Sequence, residues 1–134
     1  GASGVALKIP AELNATAPAE AAIDVASDAQ FSWEAAAAGF STYEVAIACG
    51  VGASVPDYTM IVLTKKTSVV VPDQSKIGNP FPGGKSCIWS SSAMTSPDTD
   101  DLLGVGGWTR YTSMRQSPGD GAFSTTKVRT FTSK

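Results

Sequence analysis

Thr42-Tyr43-Glu44-Val45-Ala46-Ile47-Ala48-Cys49 alternates in character, with Tyr43, Val45, Ile47 and Cys49 sharing one face. A period of two belongs to a β-strand that lays one face on a core. Phe31-Ser32-Trp33-Glu34 repeats the alternation upstream, with Phe31 and Trp33 inward and Ser32 and Glu34 outward. Gly84-Lys85-Ser86-Cys87-Ile88-Trp89 adds a further strand with a large anchor. Phe31, Trp33, Tyr43, Val45, Ile47 and Trp89 are therefore the expected core anchors, with Trp33 and Trp89 on opposite sheets of one sandwich.

Working outward, Val5, Leu7 and Ile9 alternate with Ala6 and Lys8 ahead of Pro10. That pattern predicts a first strand at a sheet edge, since proline cannot donate to a central ladder. Residues 14–20 carry loop chemistry, and Ala21–Val25 has room for a short strand. The alanines of Ala35–Phe40 favour a helix by propensity, but the segment is short and lies between two alternating strands, so a loop is expected. Tyr58–Thr64 and Ser68–Val71 are further strands, joined by a turn at Lys65-Lys66. Gly78-Asn79-Pro80-Phe81-Pro82-Gly83-Gly84 is dense turn sequence before a strand over about Lys85–Ala93. The last strand covers about Ser124–Ser133. Val128 is expected inward with either Thr130 or Phe131, although Phe131 has the opposite parity to Val128. Frequent turns between short strands predict an all-β fold, a seven-stranded antiparallel β-sandwich. A long insertion, about residues 94–122, separates the last two strands.

The bulk numbers fit one domain over residues 1–134. The net charge is −2, from 10 basic and 12 acidic residues, which does not suit a nucleic-acid partner. Charged residues make up 16% of the chain, against roughly 25% in soluble domains. Ser, Thr, Gly and Ala fill the difference and give a neutral surface. No run of about 18 apolar residues suggests membrane insertion, and no signal peptide pattern opens the chain.

The strand order resembles a fibronectin type III-like, immunoglobulin-like domain. Phe31-Ser32-Trp33, Tyr43-Glu44-Val45-Ala46-Ile47-Ala48, Val69-Val70-Val71-Pro72, Cys87-Ile88-Trp89 and Val128-Arg129-Thr130-Phe131-Thr132 carry the likeness, over about residues 5–133. It is nearest to the forms found in secreted or surface-anchored bacterial proteins. Two features depart from it. The family usually has tyrosine where Cys87 stands, and it joins its last two strands by a short hairpin. No Arg-Gly-Asp tripeptide is present, so integrin binding is not implied.

In the resembled fold, the strands that carry Cys49 and Cys87 are antiparallel neighbours. The end of one then lies beside the start of the other. The resemblance so implies a Cys49–Cys87 disulfide and an oxidising compartment; two buried free thiols are the alternative.

Histidine is absent, which removes Ser-His-Asp and Cys-His catalysis and most zinc sites. Glycoside hydrolysis by paired carboxylates remains open in principle, but Glu34 and Glu44 fall on outward positions of opposite sheets. Asp98, Asp100 and Asp101 are a weak calcium candidate, without EF-hand spacing, against a turn and a helix cap. Gly104-Val105-Gly106-Gly107 lacks the strand-to-helix setting of a dinucleotide loop. Trp108, Tyr111 and Arg115 have helix-like spacing within the insertion. They either cover a sandwich edge, anchor a protein interface or stack on a sugar. Asn14-Ala15-Thr16 matches a glycosylation sequon.

The expectation is a non-catalytic extracellular or cell-surface module with no cofactor. It would serve in an adhesive protein or as a subunit of a surface assembly such as a filament. Its partners would be proteins, including copies of itself joined by strand pairing. The alternative is a carbohydrate-binding module that uses the aromatics of the insertion.

Overall fold

The computed structural model describes residues 11–50, 52, 55–95 and 123–134. The expected strand at Val5–Ile9 lies outside these residues. Nine strands form among those described: β1 (Ala15–Ala17), β2 (Ala22–Val25), β3 (Gln30–Trp33), β4 (Thr42–Cys49), β5 (Tyr58–Thr64), β6 (Ser68–Val70), β7 (Ser86–Met94), β8 (Phe123–Thr125) and β9 (Arg129–Ser133). A 3₁₀ turn, Ser75–Ile77, lies between β6 and β7.

The strands make two sheets. The smaller has the order β1-β3-β6, and the larger β2-β9-β7-β4-β5 with β8 also paired to β7. All pairings are antiparallel except β2 with β9. Trp33 in β3 and Trp89 in β7 therefore belong to opposite sheets. One hydrophobic core joins the sheets, and it includes Phe31, Trp33, Tyr43, Val45, Ile47 and Trp89. The Phe31 ring lies edge-on to Trp89, with centroids 5.3 Å apart, and 5.6 Å from Phe131. Trp33 meets Tyr43 at 5.5 Å. These contacts across the layers make the fold a β-sandwich.

Three sequence expectations need correction. The seven-strand count is too low. Residues 14–20 are not all loop, because Ala15–Ala17 forms β1 against β3. Ala-Thr-Ala has no large side chain to announce a strand; its pairing comes from β3. The cis Ala17-Pro18 bond and Ala19–Ala21 then carry the chain across to the larger sheet.

Val128 also points the wrong way for the expectation. It is 59% exposed, whereas Phe131 is buried. The last strand is split by one extra residue. Ser92 pairs with Thr125 and Trp89 with Arg129, so three steps along β7 face four along the other chain. This is a β-bulge, and it reverses which parity faces the core. Ser124 and Thr126 are buried before it, Phe131 and Ser133 after it. At the break, the Thr126 amide donates to the Ser91 carbonyl (2.8 Å) and the Ser91 amide donates to the Thr126 hydroxyl oxygen (3.0 Å). The bulge thus keeps the ladder satisfied while it turns Val128 outward.

The Ala35–Phe40 segment is a loop, as its setting predicts. The Ala36 amide donates to the Tyr43 hydroxyl oxygen at 3.0 Å, which ties the loop to a core anchor. The insertion begins one residue later than expected, since Met94 is the last residue of β7. Met94 pairs with Phe123, so the chain leaves and re-enters the sheet at one corner.

Candidate functional site

Cys49 and Cys87 form a disulfide across a gap of 38 in sequence. They are directly opposed on neighbouring strands of the larger sheet, with Cα atoms 4.0 Å apart, and both side chains are fully buried. Gly50 follows at φ +77°, and a Cβ there would stand 2.6 Å from Asp57 Oδ2. Glycine is therefore required where the chain turns past the bridge. Asp57 in turn pairs with Lys85 at 3.1 Å on the surface.

The outer face of the larger sheet divides in two. Near the corner where the insertion departs, Met94 is buried with Leu63 and Phe123 packed against it. Thr42 and Glu44 are buried on the same face, Glu44 at 3% exposure. Glu44 has the outward parity that alternation assigns it, but this end of the face is covered. Glu34, just past β3, is exposed and accepts a hydrogen bond from Asn14 Nδ2 at 3.1 Å. The two glutamates lie on different sheets and do not form a carboxylate pair across one cleft.

The other half of the outer face is more exposed. Ala46 and Ala48 from β4, Thr59 and Ile61 from β5, Ile88 and Ser90 from β7, and Val128 at the bulge border a shallow groove of about 220 Å³. Ile61 is 40% exposed. None of these side chains is charged. They form an apolar shelf over four adjacent chain segments.

A more polar cleft of about 480 Å³ lies where the segment before β2 crosses from one sheet to the other. It is bordered by Glu12, Leu13, Asn14, Ala15, Glu20, Lys127, Val128 and Arg129. Arg129 donates to the carbonyls of Pro18 (3.1 Å) and Ala15, which fastens the crossing. Glu20 accepts from the Thr130 hydroxyl (2.6 Å) and the Thr130 amide (3.1 Å). These bonds, with Arg129 beside them, hold its carboxyl below the usual carboxylate range. Arg129 and Glu20 both have local structural partners, so this side of the cleft works as a clasp. Arg129 and Glu20 were missed as a pair in the sequence because 108 residues and a change of strand parity separate them.

Burial pushes the Tyr58 phenol above its ordinary value. Among the described residues, no cluster of three or more His, Cys, Asp or Glu side chains suits a metal ion. Trp108, Tyr111 and Arg115, with Asp98, Asp100 and Asp101, lie outside the described residues. Among those described, no helix is long and apolar enough to cross a membrane. Comparison with protein-family models, curated proteins and solved structures gave no match.

Proposed function

We propose that the chain is a non-catalytic structural and interaction module of an extracellular or cell-surface protein, or a subunit of a surface assembly. The observation that carries this reading is the uncharged shelf of Ala46, Ala48, Ile61, Ile88 and Val128 on the larger sheet. Exposed, uncharged apolar side chains gathered from several strands suit a protein contact site. The disulfide suits an oxidising compartment. The fibronectin type III-like reading draws support from the pairing order. β3 and β6 share one sheet and β4, β5, β7 and β9 share the other, the partition that such sandwiches use.

Light scattering and electron microscopy of native material test the proposal. Assemblies or stable complexes that contain the chain are the expected result. A clean monomer at high concentration, bound to nothing else in the native material, would count against it.

A further inference from the structure

We propose that β5 is a homotypic interface, at which two copies of this chain pair antiparallel with Ile61 opposite Ile61. The proposal rests on the module reading above and adds the partner and the edge it uses.

Sheet edges tend to recruit other strands, and proteins usually shorten, bend or charge them. Among the described residues, the smaller sheet ends in β1 and β6, each three residues long, and β1 runs into Pro18. The larger sheet ends on one side in β2. There Ala21 and Asp24 have φ of +57° and +55°, and the register with β9 shifts. These three edges are blunted. β5 is not: its seven residues keep unbroken register with β4 from Tyr58 to Thr64. It contains no proline, glycine or charged residue.

The direction of its backbone groups follows from the ladder. The Gly50 amide donates to the Ser86 carbonyl, so even-numbered residues along β4 face β7 and odd-numbered ones face β5. The paired even-numbered residues of β5 then face β4. The N–H and C=O groups of Thr59, Ile61 and Leu63 point to the edge that no described strand covers. A second β5 centred on Ile61 brings Thr59 opposite Leu63 of the other copy, and all of these groups find partners.

The same register suits the side chains and the ends. Paired residues in an antiparallel ladder share a face. The two Ile61 side chains therefore meet on the outer face and join the apolar shelves of both copies into one surface. Asp57 precedes β5 and Lys65-Lys66 follows it. Asp57, already bridged to Lys85 of its own chain, then faces Lys65 of the second copy, which brings a further base to the acid at each end. A second copy is the occupant that presents this uncharged length with complementary charge at both ends.

Sedimentation equilibrium of the oxidised chain over a wide concentration series is the test, with Ile61→Lys and Thr59→Pro as variants. Thr59→Pro removes an amide that faces the edge, and Ile61→Lys alters a side chain already 40% exposed on the outer face, so circular dichroism and thermal unfolding should stay close to wild type. The wild-type chain is expected to show a monomer–dimer equilibrium. Each variant should weaken it by about a hundredfold, because the symmetry applies every change twice. Association by Ile61→Lys as tight as wild type overturns the β5 assignment and leaves the module reading intact. A wild-type monomer at every concentration overturns the proposal too. Assemblies in native material would then still uphold the module reading, and their absence would end both.

Discussion

Replacement of both cysteines, Cys49→Ala with Cys87→Ala, is expected to cost about 2–5 kcal/mol of stability. The bridge closes a loop with a sequence separation of 38, for which chain entropy alone predicts roughly 4 kcal/mol. That loop contains β5, β6 and the 3₁₀ turn, so it leaves the larger sheet, visits the smaller and returns. Without the bond, the unfolded chain regains the freedom to separate these segments. The thermal midpoint should fall by roughly 8–20 °C, at about 4 °C for each kcal/mol in a domain of this size. Reduction of the wild-type chain should move the midpoint in the same direction. A single Cys87→Ser change should do at least as much harm, because it also places a hydroxyl in a fully buried position. Differential scanning calorimetry of the oxidised, reduced and double-alanine forms measures all of this. Equal midpoints for the three forms would mean that the bridge does not constrain the unfolded chain.

The second large effect concerns Phe31. Its ring is fully buried and is the contact from the smaller sheet to both Trp89 and Phe131 of the larger. Phe31→Ala removes that ring from the centre of the core. Loss of transfer energy and the cavity left behind cost about 3–5 kcal/mol. The aromatic pairing with Trp89 and Phe131 adds to this at about 0.5–1.5 kcal/mol for each ring pair. Domains are stable by only about 5–15 kcal/mol, so the variant should sit near the edge of folding. Phe31→Leu keeps most of the volume and should lose clearly less. Urea titration is the measurement, with a lowered midpoint and an unchanged slope expected. A loss below about 1 kcal/mol for Phe31→Ala would contradict the packing of the two sheets through this ring.

Both effects fall on residues that the sequence makes visible, and the reason is physical. Large side chains at alternate positions are what a buried strand face requires, so β4 and β5 have the bounds that alternation predicts. Where the signal lies in the partner strand, it disappears from the sequence. Ala15–Ala17 becomes a strand because β3 offers it a ladder. The β8–β9 bulge is a second kind of blindness. A single extra residue reverses parity, so alternation carried on from Ser124 and Thr126 turns Val128 inward, where the structure has it exposed.

Glu44 illustrates a third. Alternation tells which side of a sheet a residue takes, but not whether that side meets water. The candidate interface was hidden for a similar reason. Tyr58-Thr59-Met60-Ile61-Val62-Leu63-Thr64 is legible as a strand, but its place at an edge depends on the order of the whole sheet. The shelf beside it is assembled from β4, β5, β7 and the bulge, which no local window of sequence brings together.

The proposed link from fold to function runs through the edge of β5, and amide hydrogen exchange reads that edge directly. In the oxidised wild-type chain, the amides of Thr59, Ile61 and Leu63 should gain protection as concentration rises. Those of Tyr58, Met60 and Val62, held by β4, should stay protected at every concentration. Exchange at Thr59, Ile61 and Leu63 that does not change with concentration, up to levels at which assemblies form, would contradict the account.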